Sequence, residues 1–405
     1  MRKLITTFLL IAVVGQGIAS AQENDSLATA AAAAANSVKI VKTLQGAYLN
    51  SSCGNDRLGG SKMGFISADI PLAVEEATED LYKVLLSEER YAYIPKEMVA
   101  DTAVAPETME VCPTQSVMVS NEGKYDRIRI GLPVRKPYII RENSYPRQMV
   151  IELFGTQNNS NWMTQYTDLE AVENIEVIQG HSNITTYVIN LKKATSWGYS
   201  ADYEGNNLVI KIKHAPEFSL KGLVVGVDAG HGGPQSLGAL GRNTKVTEKE
   251  LNLSMAYMLK ELLEAQGAKV VLSRSEDVAM SMTERKEKFL QNNIDLMISI
   301  HCNAGGTARG TSTYYKHIQN RELAKTILNN LLEIDGVNEF GLVGNFNFSL
   351  NAPTEYPAVL VETLFLSHPE DEAMIIKKDF QKLMMKKVTE GIKDYLKYCK
   401  KADKQ

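Results

Sequence analysis

Cysteine is scarce in this sequence, with four residues in 405, too few for a disulfide-stapled scaffold. Basic excess is missing too. The 44 Lys and Arg stand against 48 Asp and Glu, a net charge of −4, which removes the electrostatic footprint of a nucleic-acid binder. No stretch reaches the run of about 18 apolar residues that marks a membrane helix, so stable membrane insertion is not expected. What is present is ordinary globular usage: 44% hydrophobic and 23% charged residues exclude a wholly disordered or fibrous chain. At about 150 residues per domain, the length suggests two to three domains.

The first residues predict export. Arg2 and Lys3 precede an apolar run, Leu4 to Val14, and Ala19-Ser20-Ala21 offers small residues for cleavage. Residues 1–21 therefore read as a signal peptide, with Gln22 opening the mature chain and no cysteine there for lipid attachment. The expected product is soluble and periplasmic, or otherwise cell-wall associated or extracellular. Residues 22–37, rich in alanine, read as a low-complexity tether. Export permits a disulfide, and Cys53 with Cys112 is the pair expected.

Residues 38–101 hold short β-type runs such as Tyr82-Lys83-Val84-Leu85-Leu86, punctuated by Gly54, Gly59, Gly60 and Gly64. The stretches Gly46 to Asn50, Tyr82 to Ser87 and Ala92 to Lys96 resemble a bacterial SH3-like domain. Residues 102–123 read as a linker. Residues 124–214 return to alternation, as in Val150-Ile151-Glu152-Leu153-Phe154, and Glu204-Gly205-Asn206-Asn207 reads as a hairpin turn. An all-β sandwich is expected there, similar to the AMIN-type domains found ahead of cell-wall amidases. Trp162 and Trp197 are either ligand platforms or packing residues.

From residue 220 the period changes. Apolar strands at Leu223–Val227, Lys269–Ser273, Leu296–Ile300 and Ala358–Val361 alternate with helices over 248–265, 320–333 and 370–397. Leu251, Met255, Met258, Leu259, Leu262 and Leu263 form one helical face, stopped by Gly267. This predicts an α/β domain over 220–400, a mostly parallel sheet with helices on both faces. Ligands of such sheets bind beyond the carboxyl ends of the strands. His231, His301 and Glu362 each follow an apolar run and converge there.

Two histidines and a carboxylate suit one zinc ion, with a position left for water. Glu248 and Glu250 both open the helix after loop 234–247. Thr247 and Glu250 fit a capping box, which gives Glu250 a structural task and leaves Glu248 as the third ligand. Glu362 is then the general base, taking a proton from the activated water and delivering it to a leaving amine.

The stretches Val227-Asp228-Ala229-Gly230-His231-Gly232-Gly233, Glu248 to Leu253, Leu272 to Asp277, Ser299 to Ala304 and Pro357 to Ser367 resemble, in order, the zinc-dependent N-acetylmuramoyl-L-alanine amidases of the Amidase_3 type. The resemblance implies zinc ligands at His231, Glu248 and His301 and a catalytic Glu362. It also implies peptidoglycan as substrate, cut between the lactyl group of N-acetylmuramic acid and L-alanine. Leu364 replaces a usual Gly and His368 a usual Asn, and neither change removes a ligand or the base.

His317 and His368 are either further polar groups near the cleft or surface residues, and the surface is expected. Arg274 and Arg285 either belong to the site or hold the fold through ion pairs. Cys302 should turn away from the metal. Asn345-Phe346-Asn347-Phe348 either lines the peptide cleft or packs. Residues 334–357 hold Gly336, Gly341, Gly344 and Pro353 and lack a helical run long enough to plug a cleft, so an open site needing no activator protein is expected. Residues 220–405 should carry the chemistry alone, with the β domains concentrating the enzyme on the wall. The rival readings are another zinc peptidase or deacylase, and a non-catalytic wall-binding protein.

Overall fold

Short alternating runs broken by glycine cannot sustain helices, and they build the N-terminal half almost entirely from strands in the computed structural model, which describes residues 38–54, 58–103 and 108–404. The leader expected over 1–21 and the tether over 22–37 lie outside the described residues. The first β region is one antiparallel seven-stranded sheet in the spatial order Lys62–Phe65, Tyr48–Asn50, Arg90–Pro95, Leu81–Ser87, Pro71–Ala77, Ile40–Thr43 and Val99–Asp101. Val41, Leu49, Leu72, Val84 and Ile94 fill its core.

The second β region pairs a five-stranded sheet with a four-stranded one. Along Tyr125–Ile130 burial alternates strictly, with Asp126, Ile128 and Ile130 inward. Buried Asp126 accepts from Ala171 N at 2.7 Å and Val172 N at 2.8 Å, and His214 Nε2 lies 2.8 Å from it. This ties a strand of one sheet to the start of a strand in the other. The hairpin turn falls where expected, with Glu204 paired to Asn207 and Gly205 at φ +61°.

Two expectations change here. Within 102–123, read as a linker, Val117–Asn121 is a strand of the five-stranded sheet, and Val117 and Val119 are buried. No disulfide joins Cys53 to Cys112: the first is exposed, the second buried, and all four cysteines are free.

The C-terminal region contains β1 (Val224–Ala229), α1 (Glu248–Glu264), β2 (Lys269–Leu272), α2 (Met282–Gln291), β3 (Leu296–Asn303), β4 (Thr311–Tyr314), α3 (Arg321–Leu331), β5 (Glu339–Val343), β6 (Ala358–Phe365), α4 (Pro369–Ile375) and α5 (Lys378–Ala402). The sheet order is β2-β1-β3-β6-β4-β5. The first four strands run parallel and β4 lies antiparallel to β6, so the sheet is mixed. The helix expected over 370–397 is two, α4 and α5. Strand alternation sorts residues to two faces. Val225, Val227, Ile298, Ile300, Val359 and Val361 pack with α1, α3 and α5, whereas Met297 and Ala358 pack with Phe289 of α2, Leu350 and Tyr356.

The three regions are not independent beads, because the chain from Ile40 onward forms one compact unit. Trp197, from the second β region, is 1% exposed within the C-terminal core. Its ring centroid lies 5.9 Å from that of Tyr395 and 6.2 Å from that of Phe218. A boundary at residue 220 therefore cuts through that core. Trp197→Ala in the full chain should cost about 3–5 kcal/mol, as buried aromatic truncations do, measured by urea denaturation; a loss under about 1 kcal/mol would show that the tryptophan is not part of the core.

Candidate metal centre

The chain leaves β1 at Ala229 and turns through Gly230 and His231. His231 has φ +62°, a left-handed conformation that non-glycine residues rarely take. Two buried guanidinium groups hold it there. Arg285 donates to His231 O at 2.6 Å, Ala229 O at 2.8 Å and Asp228 Oδ1 at 2.6 Å. Arg274 donates to Ala229 O at 2.9 Å, Gly230 O at 3.1 Å and Lys249 O at 2.8 Å. The arginines thus position the turn mainly through backbone carbonyls. Asp228 is itself buried and accepts from Ser299 Oγ at 2.6 Å. Burial opposes its ionisation, but the Arg285 charge prevails and holds its carboxyl below the ordinary range.

His301 and Glu362 do not end their strands, as the apolar runs suggested. Both lie inside β3 and β6, directly paired in the parallel ladder and on the same face. Cys302 takes the opposite face, buried, with Sγ 3.3 Å from Thr363 Oγ1.

Glu248 is the first residue of α1 and is 4% exposed. Its Oε2 lies 3.2 Å from His231 Nε2 and accepts from Ala239 N at 2.7 Å. Its Oε1 lies 2.9 Å from His301 Nδ1 and accepts from Cys302 N at 3.0 Å and Asn252 Nδ2 at 3.2 Å. Glu250 faces away, accepting from Thr247 N at 3.2 Å and Thr247 Oγ1 at 2.7 Å. Side chains at two glycine positions would destroy this arrangement. A Cβ on Gly230 would stand 2.3 Å from His301 Cε1, and one on Gly238, itself at φ +69°, 2.4 Å from Glu248 Oε2.

His231, Glu248 and His301 offer two imidazole nitrogens and a carboxylate oxygen, all within 4.8 Å of one another. This donor set fits zinc. His301 Nε2 is buried without a hydrogen-bond partner, as suits a ligand atom. Burial opposes a proton on His301, yet the neighbouring Glu248 carboxylate prevails and raises the imidazole to about 9. The negative field that favours that proton equally favours a metal cation.

Sequence reasoning missed Glu372. Its buried carboxylate accepts from Asn243 N at 2.9 Å, Thr244 N at 2.8 Å and Thr244 Oγ1 at 2.7 Å, and so shapes the loop leading into Glu248. In sequence it is one of three acids opening a helix, with nothing to single it out. His317, expected on the surface, is partly buried, with Nε2 2.9 Å from Ala352 O. His368 is also partly buried, at the N-cap of α4.

Residues 225–394 match the family model Amidase_3, N-acetylmuramoyl-L-alanine amidase. YqiI, an uncharacterised protein of Bacillus subtilis, is 33% identical over 181 residues, covering 44% of this chain and 86% of its own. LytH of Staphylococcus epidermidis, a probable cell wall amidase, is 30% identical over 203 residues, 50% of this chain and 68% of its own. The chain belongs to the Amidase_3 family. LytC of Bacillus subtilis, an N-acetylmuramoyl-L-alanine amidase, is 26% identical over 360 residues, reaching 82% of this chain and 68% of LytC. Among solved structures, the catalytic domain of the amidase CwlV from Bacillus (Paenibacillus) polymyxa aligns with 43% of this chain and 98% of its own, at 32% identity and a TM-score of 0.41.

Arg285→Met should cost about 3–5 kcal/mol near neutral pH, since Asp228 then stays buried without its cation. The stabilisation that Asp228 draws from Arg285 is complete above its unfolded value of about 3.9 and lost as pH falls through its lower folded value. The gap between wild type and variant should therefore narrow in acid. Urea midpoints at the two pH values check this, and an equal gap at both would contradict the pairing.

Proposed function

We propose that this protein hydrolyses the amide between the lactyl group of N-acetylmuramic acid and L-alanine of the peptidoglycan stem peptide, with one zinc held by His231, Glu248 and His301. The observation that carries the reading is the meeting of those three side chains beside Glu362, inside the segment that matches an amidase family. When bound, zinc supplies the Lewis acidity that polarises the scissile carbonyl and activates a water molecule.

The chain's own residues do the rest. Glu248, between two imidazoles, fixes both rings and the first turn of α1. Arg285 and Arg274 keep the His231 turn in place. Glu362, beside His301 in the ladder, receives the water's proton and returns it to the departing L-alanine nitrogen, so that free muramic acid lactyl carboxylate and a free amino terminus result. We assign residues 38–101 to an SH3-like domain and 124–214 to an AMIN-like domain, both serving to hold the enzyme on the wall. Residues 1–21 act as an export signal to the periplasm or cell wall. No helix among the described residues is long and apolar enough to cross a membrane.

The test is digestion of purified sacculi by zinc-loaded protein, with analysis of the released ends. New L-alanine amino termini support the amidase reading, whereas cleavage only between amino acids would assign a peptidase instead. Glu362→Gln should lose roughly 10²–10⁴-fold or more in kcat while keeping one zinc per chain by metal analysis; near-normal turnover removes Glu362 as base. Glu248→Ala should lose the zinc, whereas Glu250→Ala should keep it and cost only about 1 kcal/mol of stability, as a lost helix cap does.

A further inference from the structure

We propose that Asn347 is a positioning residue through which the first β region sets the wall of the catalytic cleft above His301. The inference rests on the amidase reading and names an element of the same site. The loop after β5 carries Phe346 and Phe348. The partly exposed Phe348 ring meets the His301 ring edge-on, with centroids 5.8 Å apart, so it borders the metal centre. Phe346 stacks with Phe348 at 6.2 Å and packs on Tyr314 at 4.7 Å. On the amidase reading, this aromatic wall flanks the place where substrate meets the metal centre.

Part of what holds the wall comes from another region of the chain. Asn347 Nδ2 donates to Gly60 O at 2.6 Å and Leu58 O at 3.2 Å. Its Oδ1 accepts from Lys62 N at 3.4 Å and Lys316 Nζ at 2.9 Å. An amide side chain has two donors and two acceptor sites, and here every one is engaged. All the partners except Lys316 are backbone groups of the first β region, 285 to 289 residues distant in sequence. Asn345 adds a weaker tie, donating to Ser61 Oγ at 3.4 Å and accepting from Lys316 Nζ at 2.7 Å.

Packing shares the task with this clamp, since Phe348 also rests against the apolar cluster of Phe289, Met297 and Leu350. A cavity of about 320 Å³ lies behind it, bordered by Lys62, Phe65, Lys316, His317 and Asn345. The polar ties therefore hold the Asn345 to Asn347 side of the loop, and core packing holds Phe348 from the other. Burial, aided by the charge of Lys62, lowers Lys316 to about 8. It stays a donor to both asparagines in either charge state.

The experiment compares the full-length zinc-loaded protein with Asn347→Asp and Asn347→Ala, using a soluble muramyl-peptide as substrate. Asn347→Asp keeps an acceptor for Lys316 and Lys62 N but sets a carboxylate against the Gly60 and Leu58 carbonyls, so it breaks the two strongest ties to the first β region and spares the rest. Both variants should raise KM roughly tenfold, a fraction of the ~10²-fold cost of a 1 Å misplacement, with one zinc per chain and kcat within about threefold. Asn345→Ala, a milder change, should raise KM less. A role in stability alone would lower the melting midpoint and leave KM unmoved. Wild-type KM in folded Asn347→Asp overturns the proposal; if that variant does not fold, wild-type KM in Asn345→Ala does so. Absence of turnover by the wild-type protein instead overturns the amidase reading, which keeps the two failures apart.

Discussion

A buried carboxylate shared by two imidazoles is the constraint around which this molecule is arranged. Glu248 is nearly inaccessible, and a charge in that position persists only if it is surrounded by donors. Two backbone amides and one side-chain amide donate to it, and two imidazole nitrogens lie within 3.2 Å. Together these neighbours place demands on the turn after β1, the loop before α1, α1 itself and β3. Ala239 N requires the loop before α1 to fold back, Cys302 N requires β3 to end beside α1, and His231 requires a left-handed turn after β1. The burial of Asp228 with Arg285 and the absence of side chains at Gly230 and Gly238 follow from the same demand.

The sequence made the chemistry legible because ligand types, spacing and helix signals agreed. The capping box at Thr247 and Glu250 separated two glutamates that composition cannot tell apart, and the structure turns them opposite ways. Strand ends were read less well. An apolar run stops where side chains become polar, not where pairing stops, so His301 and Glu362 lie within strands that continue to Asn303 and Phe365. Helix α2 was invisible because only Arg285 and Phe289 are buried, and a mostly charged helix carries no apolar stripe. The direction of β4 carried no sequence signal: Thr311-Ser312-Thr313-Tyr314 reads as β-type, but nothing in it says that it runs against β6. The split between α4 and α5 interrupts a pattern whose period continues on both sides.

Regional boundaries were the least legible feature, because composition marks linkers and says nothing of contacts across them. The linker expected over 102–123 supplies a sheet strand, and Trp197 serves the core of the region that follows its own. Thr354 shows the same interleaving: its carbonyl accepts from Tyr199 N at 2.7 Å, and its Oγ1 donates to Tyr199 O at 2.9 Å. Such ties make the β regions part of the framework of the α/β sheet rather than appendages to it.

The tie from Glu372 to Asn243 and Thr244 sets the order in which the molecule can become competent. It spans 128 to 129 residues and comes from the penultimate helix. A chain is delivered N-terminus first, and its early regions can fold as they emerge. The loop that leads into Glu248 lacks its anchor until nearly the whole polypeptide has been released. Glu362 likewise arrives late, on the last strand to be made. The assembled centre thus forms only once α4 has been made, and a shorter nascent chain has no finished site.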